Sequence, residues 1–365
     1  MYNYKLFDII LFTAREVDTQ VKVLSESIRG SVYVVSPGKC YRKLSEQRYE
    51  INTVRLEDYV SLLDDLKDAV KGTTGIIHNW TSDVVDLEKQ LELGIYSLFM
   101  LSKSLVSQKY SCRIVYNYTL DQSGSNPIGG MVGGFIKSFH QEQSRVVCKV
   151  VGFSSGVSLI DQSKSTLAEL FDLRGRELEV KYEGADRYLI SYKPKDVLQG
   201  VEGNLLKKGG VYIITGGLGG LGKIFTSYLL REYDARVILV GRSELTDAKK
   251  LELVELEKEG GVLSYYRGDV GDLDEVKSIV GRVKSSYGSI DGIIHAAGIL
   301  RDSLLVNKSE EDFRSVLRPK VSGVMNLDKL LYQELYLNLA FQLASLYKLP
   351  GAFPFAYPHL SKEAN

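Results

Sequence analysis

Apolar runs of the β type alternate with stretches of helical periodicity along most of this chain. In the second half, the apolar runs predict four strands, over Val211–Thr215, Arg236–Val240, Val262–Arg267 and Gly292–Ala296. The stretches between them predict three helices, over Gly220–Tyr233, Ala248–Gly260 and Leu273–Tyr287. Strands that are apolar throughout and alternate with helices indicate a parallel sheet with helices on both faces.

The first half of the chain follows the same plan. Its apolar runs predict strands over Asp8–Phe12, Ser31–Val35, Tyr49–Val54, Gly75–His78 and Arg113–Tyr116. Two of them match strands of the second half in sequence and in order, because Gly75–His78 resembles Gly292–His295 and Val32–Val35 resembles Val237–Val240. Matches this short can arise by chance, but their common order favours two copies of one doubly wound unit.

The two copies differ at the turn after their first strand. In the second copy this turn is rich in glycine and opens a helix, which lets backbone amides and a helix N-terminus meet a pyrophosphate. Its members are Thr215, Gly216, Gly217, Leu218, Gly219, Gly220, Leu221 and Gly222. The first copy has Thr13-Ala14-Arg15-Glu16 here, with no glycine. A backbone that carries Cβ atoms cannot approach a pyrophosphate closely, so we expect the first copy to be structural.

Composition narrows the class of protein. With 365 residues, 44% hydrophobic and 25% charged, the chain has an ordinary globular composition and room for about two domains. A formal net charge of zero predicts neither a nucleic-acid partner nor an anionic membrane surface. The three cysteines are far apart and the four histidines are isolated from other ligand types, so no metal site is predicted. With no apolar run long enough to span a bilayer, we expect a soluble cytoplasmic protein.

Several further motifs follow the glycine turn in a fixed order: Gly241-Arg242-Ser243, Gly268-Asp269-Val270, His295-Ala296-Ala297-Gly298 and Lys320-Val321-Ser322-Gly323. In this order they resemble the ketoreductase domain of modular polyketide synthases, within the short-chain dehydrogenase/reductase superfamily. The resemblance implies two tandem Rossmann-like doubly wound parallel sheets, the first degenerate and the second incomplete at its C-terminal side. It places a structural subdomain at residues 1–205, a catalytic subdomain at 206–330 and an atypical tail at 331–365.

The resemblance also implies a reaction. A ketoreductase domain uses NADPH to reduce a β-ketoacyl chain on an acyl carrier protein, and its other partners are polyketide synthase domains. Within the glycine turn, we expect Gly216, Gly220 and Gly222 to hold positions that need no side chain, while amides from Gly217 to Leu221 donate to the phosphates. Arg242 and Ser243 end the second strand, where an arginine favours a 2′-phosphate and hence NADPH over NADH. The alternative is an ordinary surface arginine.

Other site residues come from the resemblance alone. It implies that Asp269 accepts a hydrogen bond from the adenine amino group and that Val270 lies against the ring, although Asp269 could instead cap the helix that begins near Leu273. Small residues at the end of the fourth strand, Ala296, Ala297 and Gly298, would let the backbone approach the nicotinamide ribose. Asp302 would help to position the substrate, unless it is simply a solvated loop acid. Lys320 matches the catalytic lysine, the alternative being a lysine on a helix surface.

The pattern of the family fails after Lys320. The family has a serine and a tyrosine beyond this lysine, in a Phe-Ser-Ser strand end and a Tyr-x-x-x-Asn helix, and neither motif is present here. Leucines from Leu327 to Leu346 recur at helical spacing and predict an extension of the helix that carries Lys320. We hypothesise a frame change in the gene near Leu331, because Phe341–Ser345 can be encoded so that the next frame gives Phe-Ser-Ser-Leu-Ala.

Three functions therefore stay open from the sequence. The first is an NADPH-dependent ketoreductase that retains Lys320. The second is a cofactor-binding or scaffold remnant without turnover, because the catalytic serine and tyrosine are missing. The third is an interaction module that uses the leucine-rich tail.

Overall fold

The computed structural model describes residues 7–14, 17–69, 73–81, 86–122, 124, 126–172, 177–191 and 206–331. Within this part, the chain forms two compact units. The first comprises the described residues up to 191 together with Leu304–Val306, and the second comprises 206–303 and 307–331. Outside the described residues lie the predicted tail beyond Leu331, residues 192–205, and Arg15 and Glu16 of the first turn.

The first unit is built on a mainly parallel sheet of nine strands in the order β3-β4-β2-β1-β5-β6-β7-β8-β9. Only the outermost pairs, β3 with β4 and β8 with β9, are antiparallel. The strands are β1 (Phe7–Phe12), β2 (Val32–Pro37), β3 (Arg42–Ser45), β4 (Arg48–Ile51), β5 (Thr73–His78), β6 (Cys112–Thr119), β7 (Val146–Phe153), β8 (Glu179–Glu183) and β9 (Asp186–Leu189). The parallel part has the strand order of a doubly wound fold.

Helices connect these strands, as the parallel arrangement requires. They are α1 (Val17–Ser27), α2 (Leu56–Ala69), α3 (Leu87–Leu91), α4 (Ser97–Ser107), α5 (Pro127–Glu142) and α6 (Leu159–Phe171), with a π-helical turn over Glu92–Tyr96 between α3 and α4. Side chains of α1 and α6 pack on one face of the sheet, where Leu24 and Leu167 join the core of β1. Local chemistry sets the helix starts, because the Asn126 and Ser158 side chains accept backbone N–H bonds at α5 and α6.

The second unit has a fully parallel sheet with the order β12-β11-β10-β13 among its described residues. The strands are β10 (Val211–Thr215), β11 (Arg236–Gly241), β12 (Val262–Arg267) and β13 (Gly292–His295). Alternate residues of β10 face opposite cores. Val211 and Ile213 pack with the helices over Leu273–Tyr287 and Ser322–Leu331, whereas Tyr212 and Ile214 pack with the helix over Gly220–Tyr233. The prediction of a parallel sheet covered on both faces is therefore confirmed for this unit.

The helices of the second unit are α7 (Gly220–Tyr233), α8 (Asp247–Glu257), α9 (Leu273–Tyr287), α10 (Glu310–Lys320) and α11 (Ser322–Leu331). One prediction is wrong here, since the helix that carries Lys320 ends at that residue. The chain turns at Val321 and a new helix begins at Ser322. Of the predicted leucine stripe, the described residues Leu327 and Leu331 lie on this second helix and are buried in the core with residues of β10 and β11.

Most predicted bounds agree with the structure to within three residues, and the differences have local causes. The predicted strand Tyr49–Val54 stops at Ile51 because the Asn52 side chain accepts the Val54 N–H at 3.1 Å and forms a turn. The edge strands β3 and β9 were not predicted, because all of their residues are exposed and they form no apolar run. The buried strand β7 and the strand β8 beside it were also not predicted.

Candidate cofactor site at the end of β10

The turn after β10 is left-handed at its first glycine. Gly216 has φ of 67°, its N–H donates to the Val240 carbonyl at 2.7 Å, and its own carbonyl accepts the Gly219 N–H at 2.9 Å. A Cβ at Gly216 would lie 2.7 Å from the Ala296 carbonyl oxygen. Only glycine fits both the backbone conformation and this close approach of β13.

Two further glycines serve packing, and one does not. A Cβ at Gly217 would lie 2.5 Å from the Leu239 side chain, and one at Gly222 would lie 2.5 Å from the Gly216 carbonyl oxygen. At Gly220, in contrast, a Cβ would meet no atom within 4 Å. Packing therefore needs Gly217, a requirement beyond the three predicted at Gly216, Gly220 and Gly222. Gly220 serves no packing contact and leaves open the space in front of the turn.

This open space adjoins the first turn of α7. Gly219 precedes the helix without a side-chain cap, and the first turn contains no acidic residue. The first amides of a helix have no intrahelical acceptor and carry a partial positive charge. The turn thus offers N–H donors, room and a favourable field to a phosphate, so these residues fit the pyrophosphate of a dinucleotide.

Thr215 and His295 join the glycine turn to the helix that carries Lys320. The Thr215 hydroxyl lies 2.7 Å from His295 Nδ1, and His295 Nε2 lies 3.0 Å from the Pro319 carbonyl oxygen. Because a carbonyl only accepts, the neutral imidazole carries its proton on Nε2 and Nδ1 accepts from Thr215. The Thr215 oxygen in turn accepts the Ala297 N–H at 3.3 Å. Burial lowers the pKa of His295, which favours this neutral form.

Lys320 is half-buried at the last residue of α10. Burial lowers the pKa of its ammonium, and no carboxylate of the described chain forms an ion pair with it. The next helix packs closely, since a Cβ at Gly323 would lie 2.9 Å from Val270 and 3.4 Å from the His295 ring. The motif Lys320-Val321-Ser322-Gly323 therefore combines a partly desolvated cation with a glycine that brings α11 against β13.

The loop over 241–244, which begins at the last residue of β11, is held by two side chains of β12. The Tyr265 hydroxyl lies 3.0 Å from the Gly241 carbonyl oxygen and 2.6 Å from that of Ser243. Arg267 Nε donates to the Arg242 carbonyl at 3.2 Å, and its Nη1 pairs with Glu244 at 2.6 Å. Arg242 itself is exposed, and its guanidinium forms no ion pair within the described residues.

Asp269 and Val270 lie in the turn after β12. One Asp269 oxygen accepts the Gly271 N–H at 2.8 Å, and the other lies 3.6 Å from Arg318. The alternative role of Asp269 as the cap of α9 is wrong, because Asp272 caps that helix by accepting two backbone N–H bonds. Val270 is buried in the core rather than open to solvent.

The remaining predicted residues follow β13. Ala296 and Ala297 are half-buried beside the glycine turn, whereas Gly298 is exposed and a Cβ there would meet nothing within 4 Å. Asp302 is exposed and forms no hydrogen bond or ion pair with the described residues, so it is free to meet a ligand or solvent.

Sequence reasoning missed three residues that organise this site: His295, Tyr265 and Arg267. His295 is the first residue of the motif His295-Ala296-Ala297-Gly298, and it pairs with Thr215 at the strand end. The other two alternate along β12 on the side of the loop, a pattern visible only after the pairing of Gly241 with Arg267 is known. Within the described residues there is no cluster of ligands that could hold a metal ion, and no helix there is long and apolar enough to span a bilayer.

Two family models match this chain. The model of the KR domain matches residues 210–353, and a model described as beta-ketoacyl synthase-like, N-terminal, matches residues 8–170. The first match runs past residue 330, so it includes part of the stretch treated above as an atypical tail. The polyketide synthase PksM of Bacillus subtilis (strain 168) is 30% identical over 306 residues, which are 83% of this chain and 7% of PksM.

Solved structures extend the likeness over both units. The crystal structure of an N-terminal ketoreductase from the macrolactin assembly line superposes with a TM-score of 0.80 at 25% identity, and the match covers 92% of this chain and 70% of that one. A ketoreductase-containing module of a nonribosomal peptide synthetase matches with a TM-score of 0.81 at 24% identity, over 90% of this chain and 29% of that one, which supports the fold. This chain thus spans only a small part of the length of the curated synthases it matches.

Proposed function

Because the chain belongs to the ketoreductase-domain family of polyketide synthases, we propose that its second unit binds NADPH and that it acts on β-ketoacyl thioesters. The observation that carries this proposal is the turn at Gly216–Gly222. Three of its glycines are required by packing, while Gly220 leaves free space at the N-terminus of α7. A structural turn would have no need of that space, whereas a pyrophosphate would fill it.

The residues that would hold the cofactor follow the strand ends in order. Amides from Gly217 to Leu221 would bind the pyrophosphate, Arg242 and Ser243 the 2′-phosphate, and the turn with Asp269 and Val270 the adenine side. The small residues Ala296, Ala297 and Gly298 would leave room for the nicotinamide ribose. When bound, the cofactor supplies a hydride to the ketone carbon of the substrate.

Lys320 would act on the ribose side of the cofactor. Its ammonium is partly desolvated, so its hydrogen bonds to a ribose hydroxyl would be stronger than those of an exposed lysine. Thr215 and His295 would keep it in place through the Pro319 carbonyl. In the related enzymes that the motif resembles, such a lysine also lowers the pKa of a tyrosine that donates the proton.

A second candidate function is cofactor binding without turnover. The observation that favours it is the sequence after Lys320, in which Tyr332, Tyr336, Tyr347 and Tyr357 all lack an asparagine four residues later. These residues lie outside the described part of the chain. Without a positioned phenol, the alkoxide that forms from a ketone would have no proton donor.

Calorimetric titration with NADPH tests binding, and NADPH oxidation with a β-ketoacyl thioester tests turnover. We expect binding of one NADPH per chain. Oxidation faster than in a Lys320→Ala control would establish the reductase, and binding without oxidation would establish the second candidate. Absence of binding to folded protein would refute both.

The curated relatives indicate the natural context. PksM and PksN are polyketide synthases, and the match to this chain covers 7% of the length of PksM and 6% of the length of PksN. We propose that the chain works beside other polyketide synthase domains and that its substrate arrives as a thioester on an acyl carrier protein. A β-ketoacyl chain on the carrier protein should therefore be reduced more efficiently than the same chain on a small thiol.

A further inference from the structure

The loop over 241–244 is the place where a coenzyme with a 2′-phosphate is distinguished from one without it. In this chain the loop is held by side chains of the neighbouring strand β12. Side chains of β12 hold three consecutive carbonyl groups, since Tyr265 contacts those of Gly241 and Ser243 and Arg267 donates to that of Arg242. We propose that Tyr265 and Arg267 are positioning residues that determine selectivity for NADPH over NADH, an inference that rests on the proposed function.

Tyr265 fixes the backbone on both sides of Arg242. Its phenol has a single proton, so it donates mainly to the nearer carbonyl, that of Ser243 at 2.6 Å, while the Gly241 carbonyl lies at 3.0 Å. Gly241 permits this approach, because a Cβ there would lie 2.9 Å from the phenol oxygen. A loop that is ordered before binding loses less conformational entropy when a phosphate arrives.

Arg267 acts on charge. Glu244 is the first acid after β11, and a carboxylate at this place suits the hydroxyls of a bare ribose and repels a 2′-phosphate. The ion pair with Arg267 Nη1 at 2.6 Å neutralises Glu244. Arg267 reaches it across the Arg242 carbonyl, so the loop presents a second guanidinium next to Arg242. The pair is exposed, so it contributes little to stability, and the Arg267 guanidinium stays accessible to a ligand.

The test is calorimetric measurement of the dissociation constants for NADPH and NADH in matched variants. Tyr265→Phe removes only the hydroxyl and should weaken NADPH binding by about threefold to tenfold, as expected for one lost hydrogen bond, with little change for NADH. Arg267→Ala should lower the preference for NADPH by about tenfold. Combining it with Glu244→Gln should recover part of that loss, because the freed carboxylate is then gone.

Tyr266→Phe is the matched control. Tyr266 lies on the opposite side of β12, where its ring is 4.4 Å from the Arg282 guanidinium, and its change should leave the NADPH preference unaltered. Equal weakening of both coenzymes by Tyr265→Phe and Arg267→Ala would show a merely structural role and overturn the inference, as would no change at all. If the unmodified chain binds neither coenzyme, or both equally, the proposed NADPH function fails first, and the inference with it.

Discussion

The first strands of the two units, β1 and β10, occupy equivalent positions in their sheets. Strand β1 lies between β2 and β5, and strand β10 lies between β11 and β13. At the end of β1, Phe12 pairs with His78, and at the end of β10, Thr215 pairs with His295. The backbone hydrogen bonds beyond these pairs also correspond. The Thr13 N–H donates to the Val35 carbonyl of β2, and the Gly216 N–H donates to the Val240 carbonyl of β11. The two strand ends therefore share one backbone plan.

Side chains make the difference between these two ends. Where the second unit has Gly216, Ala296 and Ala297, the first has Thr13, Asn79 and Trp80. Phe12, His78, Trp80 and Tyr116 form one aromatic cluster, with ring centroids 5.1 to 5.5 Å apart between neighbours. The crevice where a doubly wound fold binds its ligand is thus filled by core in the first unit and lined by small residues in the second.

The same strand order therefore forms a crevice in both sheets, but the side chains at the strand ends determine whether that crevice is filled. We propose that the residues at three strand-end positions determine whether this crevice is open to a ligand or part of the core. Exchanges at these positions should affect stability in the first unit and coenzyme binding in the second.

The largest expected effect is on the aromatic cluster of the first unit. Trp80 is buried, and its indole N–H donates to the Val35 carbonyl at 3.2 Å. Trp80→Ala should destabilise this unit by about 3–5 kcal/mol, because it leaves a large cavity. Hydrogen exchange of the amides of β1 and β5 would measure the loss, and the dissociation constant for NADPH should stay unchanged. Unaltered exchange would show that the cluster does not support the sheet.

The next effect comes from giving the second unit a residue of the first. Gly216→Thr places a β-branched side chain at φ of 67° and a Cβ against the Ala296 carbonyl oxygen. We expect a loss of about 3 kcal/mol in unfolding free energy and no measurable NADPH binding. The reciprocal change, Thr13→Gly, should create no second site, because Asn79 and Trp80 still fill the crevice. Calorimetry that found two coenzymes per chain in Thr13→Gly would contradict the comparison.

A third test uses pH, because a histidine is buried at both strand ends. Burial lowers the pKa of His78 to about 3, and no described residue accepts or donates at its Nδ1. The unfolded chain takes up this proton near pH 6.5. Stability should therefore fall as the pH drops below about 6.5, and His78 alone should account for about 2 kcal/mol between pH 7 and pH 5.

Denaturant unfolding at the two pH values measures this loss. His78→Gln should reduce the difference between pH 7 and pH 5 by about 2 kcal/mol relative to the unmodified chain. His295→Gln should act in the same direction, since burial lowers the pKa of His295 as well. An equal pH dependence in His78→Gln and the unmodified chain would show that His78 accepts a proton in the folded state.

Strand bounds, the glycine turn and side-chain contacts differ in how well the sequence predicts them. Strand β10 is buried along its whole length and almost entirely apolar, so its bounds are predictable to the residue. The prediction for β12 also matches to the residue, although this strand is only partly buried. The exposed edge strands give no such signal. The glycine turn could be located because only glycine permits its backbone, but Gly217 and Gly220 could not be assigned their separate roles without the position of Leu239. The contacts of Tyr265 and Arg267 depend on strand pairing, which one sequence does not encode locally.

The smallest expected effect on stability is at Gly220, and it is the sharpest test of the open space. A Cβ at Gly220 meets no atom within 4 Å, whereas one at Gly222, two residues further along the same helix, lies 2.5 Å from the Gly216 carbonyl oxygen. Gly220→Val should thus leave the unfolding free energy within about 0.5 kcal/mol of the unmodified chain. Its side chain would stand where the pyrophosphate is proposed to lie, so NADPH binding should weaken at least about tenfold.

Gly222→Ala is the matched control because it should lower stability and binding together, through a displaced turn. Thermal unfolding without ligand and calorimetric titration with NADPH separate the two kinds of effect. A Gly220→Val protein that binds NADPH as tightly as the unmodified chain would mean that the free space at the start of α7 is not where the phosphates lie. The glycine turn of the second unit would then be as structural as its glycine-free counterpart after β1.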